Sequence, residues 1–531
     1  MGASNGSESV LSGASGATAA VGPWHACLID CGTSSVRGFI AEIKGGEARI
    51  LEDLAYPVDL TAGFTGRLLP RASLDAVEEA FAGILAAAKG YGCDRFRAVA
   101  TTGLREAPNA DVLIERLRAR FGLAPEVIDG AEEARLYFEA LRVLARRLDL
   151  SLAGDLLLIE LGGGSSSVSL IRDGKLAHSV DEHYGTHRVW DQFRNLKDSV
   201  DFSIAIDRYA LGAARMVLSR LPQRGADRIA VTGSVVRRLC SLASGSDMPE
   251  GGWMDPPIDA ACIRAWLMRM REATPSQRAE ACRCNEHEAA VLLPAASFIH
   301  HLCAETGAAR ILVPQISLRH GLLADLLPGA QGPHHLDADH LLAEARQLVA
   351  RYGGNADYAE NTASLAGQIF DQTTAIHGFG ARERVLLQFS ALVHDIGSFV
   401  NVRNRHKHTL YLLEATDIAG LTGVEKTVVA QVARYHRRSA PQPHHGTFQA
   451  LSRTDRVRVS GLAAILRLAY GLDVERTQLI RSIRCEVVAG TLLIHVDRRQ
   501  VALEQWSIGQ KSSLFRDVFG LEVRVVPRVE R

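Results

Sequence analysis

The sequence lacks the features that mark membrane-bound, secreted and nucleic-acid-binding proteins. No apolar run approaches the roughly 20 residues of a membrane-spanning helix, and the N-terminus lacks the basic start and apolar segment of a signal peptide. The 9 cysteines form neither paired zinc-type motifs nor a dense disulfide framework. Lys+Arg and Asp+Glu are both 60, so no overall basic field attracts nucleic acid. These absences predict a soluble cytoplasmic protein that binds neither membranes nor nucleic acid.

At 531 residues the chain is too long for one hydrophobic core. Strand and helix patterns alternate up to about residue 328, which is typical of α/β folds. A stretch rich in Pro, Gly and polar residues, PGAQGPHHLDADH, then gives way to helical spacing. We predict a disordered tail (1–24), two α/β domains (25–150 and 151–328), a helical domain (335–478) and a small α+β domain (479–531).

Within these domains, the patterns predict individual elements that the structure can test. Strands are expected over 96–102, 125–129 and 309–315, and one helix near 502–519.

Two stretches share one unusual pattern. LLLIELGGGSSSVSLI (156–171) and CLIDCGTSSVRGFIAEI (27–43) each place an acidic residue and a Gly- and hydroxyl-rich turn between two apolar strands. In this comparison Asp30 matches Glu160, and Gly32–Ser35 match Gly163–Ser166. Such turns point N–H groups and hydroxyls at an anion, so two facing turns would clamp a polyanion. For either stretch alone, an ordinary Gly-rich hairpin turn is the alternative.

Three further motifs carry candidate chemistry. Arg105 in ATTGLREAPN follows a buried strand and can bind two phosphate oxygens; the alternative is a surface pair with Glu106. EVIDGAEEARL places Glu132 and Glu133 in the first turn of a helix, either as a general base or as complements of the helix dipole. VTGSVVRR offers a third anion contact at Gly233 and Ser234.

Taken together, these motifs resemble the exopolyphosphatases and guanosine pentaphosphate phosphatases. The resemblance is carried in order by DCGTSSVR, ATTGLREAPN, IDGAEEARL, ELGGGSS, VTGS, ISLRHGLL, LVHDIG and RYHRR. It implies two actin-like α/β domains of the acetate kinase and Hsp70 superfold, which is ribonuclease H-like. It also implies that an all-α HD-like domain and a small α+β domain follow, and that the protein is a homodimer.

The resemblance also assigns roles to residues. Glu133 would activate water and Arg105 would hold the terminal phosphate, while Asp30 and Glu160 would bind Mg²⁺ or Mn²⁺. The phosphoryl oxygens would be held by Gly32, Thr33, Ser34, Ser35, Gly162, Gly163, Gly164, Ser165, Ser166, Gly233 and Ser234.

The chain departs from the family pattern at the presumed metal site. The family usually reads Asp-x-Gly-Gly-Gly-Ser-Thr-Glu, whereas this chain has Glu160 for the Asp and Ser167 for the final Glu. Ser167 loses a carboxylate, so metal affinity should fall unless water replaces the missing ligand. Ser34 replaces the usual Asn, and Ala290 stands where many members have Asp.

The helical domain carries a second candidate metal set, which looks incomplete. His394-Asp395 with His406, His408 and His436 is similar to an HD phosphohydrolase set. However, the upstream histidine position offers only Tyr358 or His377, and a later Asp position falls near Tyr470. The alternative is a fold used for dimerisation and polyanion binding. In that case the basic runs of the helical domain would line a polyphosphate channel. The residues of these runs are Arg403, Arg405, His406, His408, Arg434, His436 and Arg437.

Three functions remain open at this point. The first is an exopolyphosphatase that hydrolyses terminal phosphate from inorganic polyphosphate and also accepts guanosine pentaphosphate. The second is a sensor that binds polyphosphate or guanosine penta- or tetraphosphate with weakened turnover, motivated by Glu160 and Ser167. The third is a sugar or acetate kinase of the same superfold, for which no adenosine pocket is recognisable.

Overall fold

The computed structural model describes residues 10–12, 22–63, 66–197, 199, 201–221, 226, 228–245, 252–253, 257–327, 338–416, 418, 420–437, 439–442 and 445–527. The chain divides into two compact units, Met1–Pro333 and His334–Arg531. The division falls inside the stretch predicted as a boundary, although residues 328–337 lie outside the described residues.

The first unit is an α/β structure built on two sheets. Its described strands are β1 (Val10–Ser12), β2 (Trp24–Cys31), β3 (Ser35–Lys44), β4 (Glu47–Pro57), β5 (Arg95–Ala100), β6 (Glu126–Val127), β7 (Asp155–Leu161), β8 (Ser166–Arg172), β9 (Lys175–Glu182), β10 (Arg228–Thr232), β11 (Ile258–Asp259) and β12 (Arg310–Leu312). Its described helices are α1 (Arg71–Gly90), α2 (Thr102–Arg105), α3 (Ala110–Phe121), α4 (Gly130–Arg147), α5 (Thr186–Phe193), α6 (Asp201–Arg220), α7 (Ser234–Ser244), α8 (Ala260–Glu272), α9 (Pro275–Cys282), α10 (Glu286–Thr306) and α11 (Leu318–Ala324).

The two sheets repeat one arrangement. Their strand orders are β1-β4-β3-β2-β5-β6 and β11-β12-β10-β7-β8-β9. In each sheet an antiparallel hairpin (β2–β3 or β7–β8) has a parallel strand (β5 or β10) on its other side. The repeated sequence pattern is therefore a repeated piece of structure, as predicted.

Helix α4 is the element that the two sheets share. Leu136 of α4 joins the core between the first sheet and α11, with Phe39 and Leu322, and α4 also packs on β8 and β9 of the second sheet. The helix begins where it does because the side chain of Asp129 accepts a hydrogen bond from Glu132 N at 2.9 Å, which caps the first turn. This start places Glu132 and Glu133 in that first turn.

Several element boundaries differ from the sequence predictions. Strand β5 ends at Ala100, because Thr102 already begins α2, and the strand predicted over 125–129 is only Glu126–Val127. The strand predicted over 309–315 is Arg310–Leu312. Inside the predicted disordered tail, Val10–Ser12 pair with β4, while residues 1–9 and 13–21 lie outside the described residues.

The second unit is mainly helical. Its described helices are α12 (Ala338–Arg351), α13 (Ala356–Gln372), α14 (Thr374–His377), α15 (Ala381–Val393), α16 (Arg405–Glu414), α17 (Gly423–Arg434), α18 (Gly446–Gln449), α19 (Arg453–Leu472), α20 (Ala502–Lys511) and α21 (Ser513–Phe519). A sheet of β13 (Ile483–Val488), β14 (Thr491–Val496) and β15 (Glu522–Pro527) follows the order β13-β14-β15.

One hydrophobic core runs through this whole unit, from Ile369 and Leu466 in the helices to Val525 in the sheet. The predicted boundary between residues 478 and 479 stays a prediction. The helix predicted near 502–519 is two helices, which meet at Ser512. In the described part of the chain, no helix combines the length and apolar character that crossing a membrane requires.

Candidate active site between two glycine loops

The two Gly-rich turns close with the same backbone hydrogen bond. Gly32 N donates to Ser35 O at 3.0 Å, and Gly162 N donates to Ser165 O at 3.0 Å. In both turns the acidic residue, Asp30 or Glu160, stands two positions before the glycine whose N–H donates. The two turns are therefore structural equivalents.

This equivalence corrects the sequence comparison by one residue. Gly32 matches Gly162, and Ser35 matches Ser165, so the predicted match of Gly32–Ser35 to Gly163–Ser166 is wrong. The prediction that Ser166 binds phosphate is also not supported. Ser166 is the first residue of β8, is paired with Leu161 and is buried in the sheet.

A polar cavity of about 100 Å³ lies between the two turns. It is lined by the remaining predicted residues of both turns and of the third motif: Gly32, Thr33, Ser34, Ser35, Gly162, Gly163, Gly164, Ser165, Gly233 and Ser234. The predicted acidic residues Asp30, Glu133 and Glu160 also line it. The structure thus brings together residues that are up to 204 positions apart, from Asp30 to Ser234.

The cavity has further polar residues that sequence reasoning did not single out. These are Arg37, Thr101, Thr102, Tyr137, Arg237 and Ser317. Arg37 and Arg237 stand within the motifs DCGTSSVR and VTGSVVRR, so their spacing after each turn was the available signal. Arg37 Nε donates to Ser35 Oγ at 3.0 Å, which places a cation directly behind the first turn.

Glycine is required in the second turn because neighbouring elements approach its backbone closely. A Cβ at Gly164 would lie 2.9 Å from Thr102 Cγ2, and one at Gly163 would lie 2.9 Å from His187 Cδ2. A hydrogen bond of 2.6 Å between Thr102 Oγ1 and Ser165 Oγ joins the two halves of the site. The loop is thus held between α2 and α5.

Arg105 is half-buried beside Glu133 and is not among the described residues that line this cavity. Its guanidinium donates to Ile128 O at 2.8 Å and to Thr102 Oγ1 at 3.0 Å, and it lies 3.4 Å from Glu133 Oε2. The alternative surface pair with Glu106 is wrong, because Glu106 accepts from Arg188 at 2.8 Å instead. Arg105 therefore ties α2 to the start of α4.

The adjacent glutamates Glu132 and Glu133 have different surroundings. Glu132 is bound by Arg135 at 2.7 Å, and Arg135 also binds Asp325 at 2.6 Å. Arg97 completes this buried ion-pair group at 2.8 Å from Asp325. Glu133 instead faces the cavity, so the second glutamate is the one placed for chemistry.

The ion pairs of Glu132 lead to a prediction about stability. Replacing Glu132 by Gln should lower the free energy of unfolding by about 3 kcal/mol, because it leaves buried guanidinium groups short of a counter-charge. Thermal unfolding of Glu132→Gln against wild type checks this. An unchanged melting temperature would show that the ion-pair group contributes little.

The three carboxylates of the cavity disfavour one another's ionisation. Burial raises the pKa of Glu160 well above its usual range, and the charges of Glu133 and Asp30 raise it further. Burial likewise raises the pKa of Asp30 and of Glu133, although the nearby Arg105 lowers that of Glu133. Tyr137 donates to Glu160 Oε1 at 3.4 Å. Buried carboxylates of this kind either keep their protons or bind a cation.

The donor set fits a hard dication such as Mg²⁺ or Mn²⁺. All of the donors are oxygens. Ser167 stands opposite Glu160 in the β7–β8 ladder, and its hydroxyl is buried without a hydrogen-bond partner. Among the described residues, three His, Cys, Asp or Glu side chains bring ligand atoms within 4.8 Å of one another only at His394, Asp395 and His436, so the cavity carboxylates do not form such a group. Mg²⁺ commonly takes one or two carboxylates and completes its shell with water and phosphate oxygens.

This charge arrangement predicts that pH and metal affect stability together. The pKa values of Asp30, Glu133 and Glu160 are raised in the folded state, so their stabilising contribution is present below the ordinary carboxylate range and is lost as pH rises through the raised pKa values. We expect the metal-free protein to lose stability on going from acidic to neutral pH. Mg²⁺ at 100 times its dissociation constant should restore about 2.7 kcal/mol.

Thermal unfolding across pH, in EDTA and in Mg²⁺, tests this expectation. Glu160→Gln is the matched variant, because it should unfold at a higher temperature in EDTA at neutral pH and respond less to Mg²⁺. An equal response of wild type and Glu160→Gln to Mg²⁺ would contradict the assignment of Glu160.

In the helical unit, the two predicted basic runs meet around His406. Burial lowers the pKa of His406 to about 4, and the charges of Arg437, Lys407, Arg434 and Arg405 add to the effect. Burial and the neighbouring cations thus disfavour the charged form of His406, and its place in a polyphosphate channel stays a prediction. Arg403 is exposed and His408 half-buried at the same helix start.

The prediction that His436 lines a polyphosphate channel is wrong. His436 is fully buried, and its Nδ1 lies 2.6 Å from Ala433 O. The chain after α17 turns His436 into the core beside His394, with the rings 5.0 Å apart. The carboxylate of Asp395 is matched by Arg405 at 2.6 Å and Arg476 at 2.9 Å, so Arg405 is also committed to an internal ion pair.

The upstream position of this cluster is taken by Tyr358. Its hydroxyl lies 3.4 Å from His394 Nε2, and the ring of Tyr470 lies 5.0 Å from that of His436. His377 Nε2 instead forms a hydrogen bond with Phe370 O at 2.9 Å. Of the two residues considered from the sequence, Tyr358 is therefore the one next to His394.

Comparison with known proteins places both units in one family. Residues 40–330 match the Ppx/GppA phosphatase family, and residues 343–509 match Ppx/GppA phosphatase, domain III. A guanosine-5′-triphosphate,3′-diphosphate pyrophosphatase of Photobacterium profundum is 22% identical over 92% of this chain and 97% of its own length. The corresponding protein of Aeromonas hydrophila is 25% identical over 85% of this chain and 88% of its own.

A solved structure shares the fold over more than half of this chain. An exopolyphosphatase from Cytophaga hutchinsonii superposes with a TM-score of 0.52 at 18% identity, covering 58% of this chain and 98% of that one. The actin-like α/β fold predicted from the sequence is thereby confirmed, and the helices of the second unit confirm the predicted helical C-terminal region. The chain belongs to the Ppx/GppA phosphatase family.

Proposed function

We propose that this chain hydrolyses the terminal phosphate of inorganic polyphosphate and also removes the 5′-terminal phosphate of guanosine pentaphosphate. The observation that carries the proposal is the position of Glu133. It faces the cavity between two turns that are rich in N–H groups and hydroxyls, and Arg105 lies 3.4 Å from it. The family membership supports a hydrolase that acts on phosphate chains.

Each part of the cavity has a proposed task. The N–H groups and hydroxyls of the two turns hold the phosphoryl oxygens, and the start of α7 at Ser234 adds a third anion contact. Glu133 takes a proton from the attacking water as general base. Arg105 orients Glu133 and becomes available to a terminal phosphate oxygen when substrate enters.

Asp30 and Glu160 would hold the metal, with Mg²⁺ or Mn²⁺ as the proposed ion. When bound, the ion would neutralise charge on the phosphoryl oxygens. The chain's own carboxylates fix where that neutralisation occurs, because Asp30 lies near the end of β2 and Glu160 near the end of β7, directly before the two turns.

We also propose that the helical unit binds the body of a long polyphosphate. The support is the group of cations around His406, formed by Arg434, Arg437 and Lys407, with Arg403 exposed nearby. A homodimer is proposed from the family resemblance and is checked by light scattering on the full chain.

A binding protein with weakened turnover is the second candidate. Ser167 favours it, because this position supplies no carboxylate and its hydroxyl is buried without a hydrogen-bond partner. The enzyme and the sensor make different predictions for one assay on the same protein.

The deciding experiment measures phosphate release from long-chain polyphosphate by the full chain in Mg²⁺, Mn²⁺ and EDTA, with polyphosphate affinity measured in parallel. Release that depends on metal supports the hydrolase. Tight binding without release in any metal would favour the sensor instead.

A further inference from the structure

Three polar residues stand in a row across the second sheet. Glu160 of β7 is opposite Ser167 of β8, and Ser167 is opposite Asp181 of β9. Residues directly opposite each other in neighbouring antiparallel strands point to the same face of the sheet, with their Cβ atoms about 4.5–5.5 Å apart. Asp181 therefore lies on the same face as Glu160, and only the short side chain of Ser167 stands between them.

The carboxylate of Asp181 lies against the start of α4. A Cβ at Gly130, the first residue of this helix, would overlap Asp181 Oδ2, so glycine is the residue that leaves room for the carboxylate. Glu133 belongs to the same first turn of α4 and lines the cavity. Asp181 thus lies beside the helix start that carries Glu133 to the cavity.

The hydroxyl in the middle of the row indicates a ligand. Ser167 is 4% exposed, and its Oγ has no hydrogen-bond partner among the described residues. Buried hydroxyls in folded proteins normally have such a partner. Between two carboxylates, the ligand that suits a hydroxyl oxygen is a hard dication with its water shell.

The charge of Asp181 also acts on the proposed metal site. It is one of the charges that raise the pKa of Glu160, after burial and the charges of Glu133 and Asp30. Asp181 is half-buried and, unlike those three carboxylates, is not among the described residues that line the cavity. Its carboxylate is therefore placed for the water shell of an ion rather than for the ion itself.

We propose that Asp181 supplies the carboxylate that Ser167 lacks, and that it helps Asp30 and Glu160 to hold Mg²⁺ or Mn²⁺ by binding water ligands of the ion. The inference rests on the proposed function, because it deepens the metal site of that function. Relative to the family pattern, one carboxylate of this site is displaced by one strand, from β8 to β9. Asp181 is a positioning residue, since it acts through the water shell.

Mn²⁺ binding to the full chain tests the inference without any turnover, with free Mn²⁺ measured by electron paramagnetic resonance. For Asp181→Asn we expect the dissociation constant of Mn²⁺ to rise about 10- to 100-fold, as is usual when an outer partner of a metal site is lost. Adding Ser167→Glu to this variant should restore most of the affinity, because a carboxylate then returns to β8. Glu182→Gln is the matched control and should bind Mn²⁺ as wild type does, because the next residue of β9 points to the opposite face of the sheet.

A purely structural role of Asp181 gives a different result. If its carboxylate only complements the positive end of α4, Asp181→Asn lowers the melting temperature in EDTA and leaves the affinity for Mn²⁺ unchanged. An unchanged affinity overturns the inference. Should circular dichroism show that Asp181→Asn does not fold, Ser167→Ala takes its place. Severalfold weaker binding of Mn²⁺ to Ser167→Ala then supports the row as a metal-binding unit, and equal binding overturns it.

The proposed function and this inference fail in different ways. If wild type binds Mn²⁺ and releases no phosphate from polyphosphate, the proposed function fails, and the affinities of the variants for Mn²⁺ still decide the inference. If wild type binds no Mn²⁺, the inference is overturned, whether or not phosphate is released.

Discussion

Replacing Glu133 with glutamine should lower kcat for phosphate release by about 10²- to 10⁴-fold, which is the usual contribution of a general base. The amide keeps the size of the side chain and cannot accept a proton from water. Affinity for polyphosphate should change little, because the turns that hold the phosphates are elsewhere in the cavity. Steady-state phosphate release and equilibrium binding together check this expectation.

The pH dependence of wild-type activity gives a second test of Glu133. Burial raises the pKa of Glu133, Arg105 lowers it, and the charge of Asp30 raises it. Because a base must be ionised to act, kcat/KM of wild type should rise with pH through a value above the ordinary range for glutamate. That value belongs to the coupled carboxylates as a set.

The matched control is Glu79→Gln, which makes the same chemical change on the exposed face of α1. It should retain the wild-type rate and pH profile. Glu133→Gln with wild-type kcat would remove Glu133 from the mechanism and move the role of base to Asp30 or Glu160.

The second large effect is expected from Gly163→Val. The Cβ alone would press on the ring of His187 at 2.9 Å and lie 3.7 Å from Thr33 Cβ, so a valine side chain would displace the turn that lines the cavity. Polyphosphate affinity should fall at least about 100-fold, because several charge-assisted hydrogen bonds are lost together. Equilibrium binding measures the affinity of the variant for polyphosphate, and circular dichroism checks that the variant keeps the wild-type fold.

The control variant is Gly212→Ala. It is preferred to Gly154→Ala, because Gly154 has a φ of +75°. Gly212 lies inside α6, and the space into which a Cβ would project there is open. Gly212→Ala should bind polyphosphate as wild type does. Retained affinity in Gly163→Val would show that the second turn does not hold phosphate.

The sequence was sufficient to locate the two turns, and not sufficient to align them. The acidic residue, the glycines and the apolar strands around them predict two equivalent hairpins, because each feature has a local physical cause. Three identical glycines followed by three identical serines contain no information on register, however. The register is set by the hydrogen bond from Gly162 N to Ser165 O, and Ser166 consequently belongs to a strand.

Contacts between distant segments were also beyond sequence reasoning. Glu132 and Glu133 differ only in what the fold places opposite them, and Asp325, which fixes Arg135 beside Glu132, is 190 residues away from Arg135. Similarly, Arg188 reaches Glu106 across 82 residues. Local sequence patterns identify the candidate side chains, and tertiary packing determines which residues they contact.

His436 illustrates the opposite error. In RYHRR it is surrounded by arginines, so composition alone suggests a solvent-facing cationic strip. Helix α17 ends at Arg434, and the following turn directs Tyr435 and His436 inward, where both are buried. A run of charged neighbours does not determine the direction of a single side chain at a helix end.

The loss of a carboxylate at Ser167 bears on how strongly this site would hold a metal ion. The neighbouring strand places Asp181 directly across from Ser167, and the charge of Asp181 contributes to the raised pKa of Glu160. The negative charge near Glu160 is therefore not confined to the residues of the family pattern.

The central claim is that water, activated by Glu133, attacks the terminal phosphorus, and isotope labelling tests it most directly. Wild-type protein is incubated with polyphosphate and Mg²⁺ in ¹⁸O-labelled water, and mass spectrometry follows the label. Attack at the terminal phosphorus predicts one ¹⁸O in each released phosphate and none in the shortened chain. Label in the shortened chain, or no metal-dependent release of phosphate, would contradict the account.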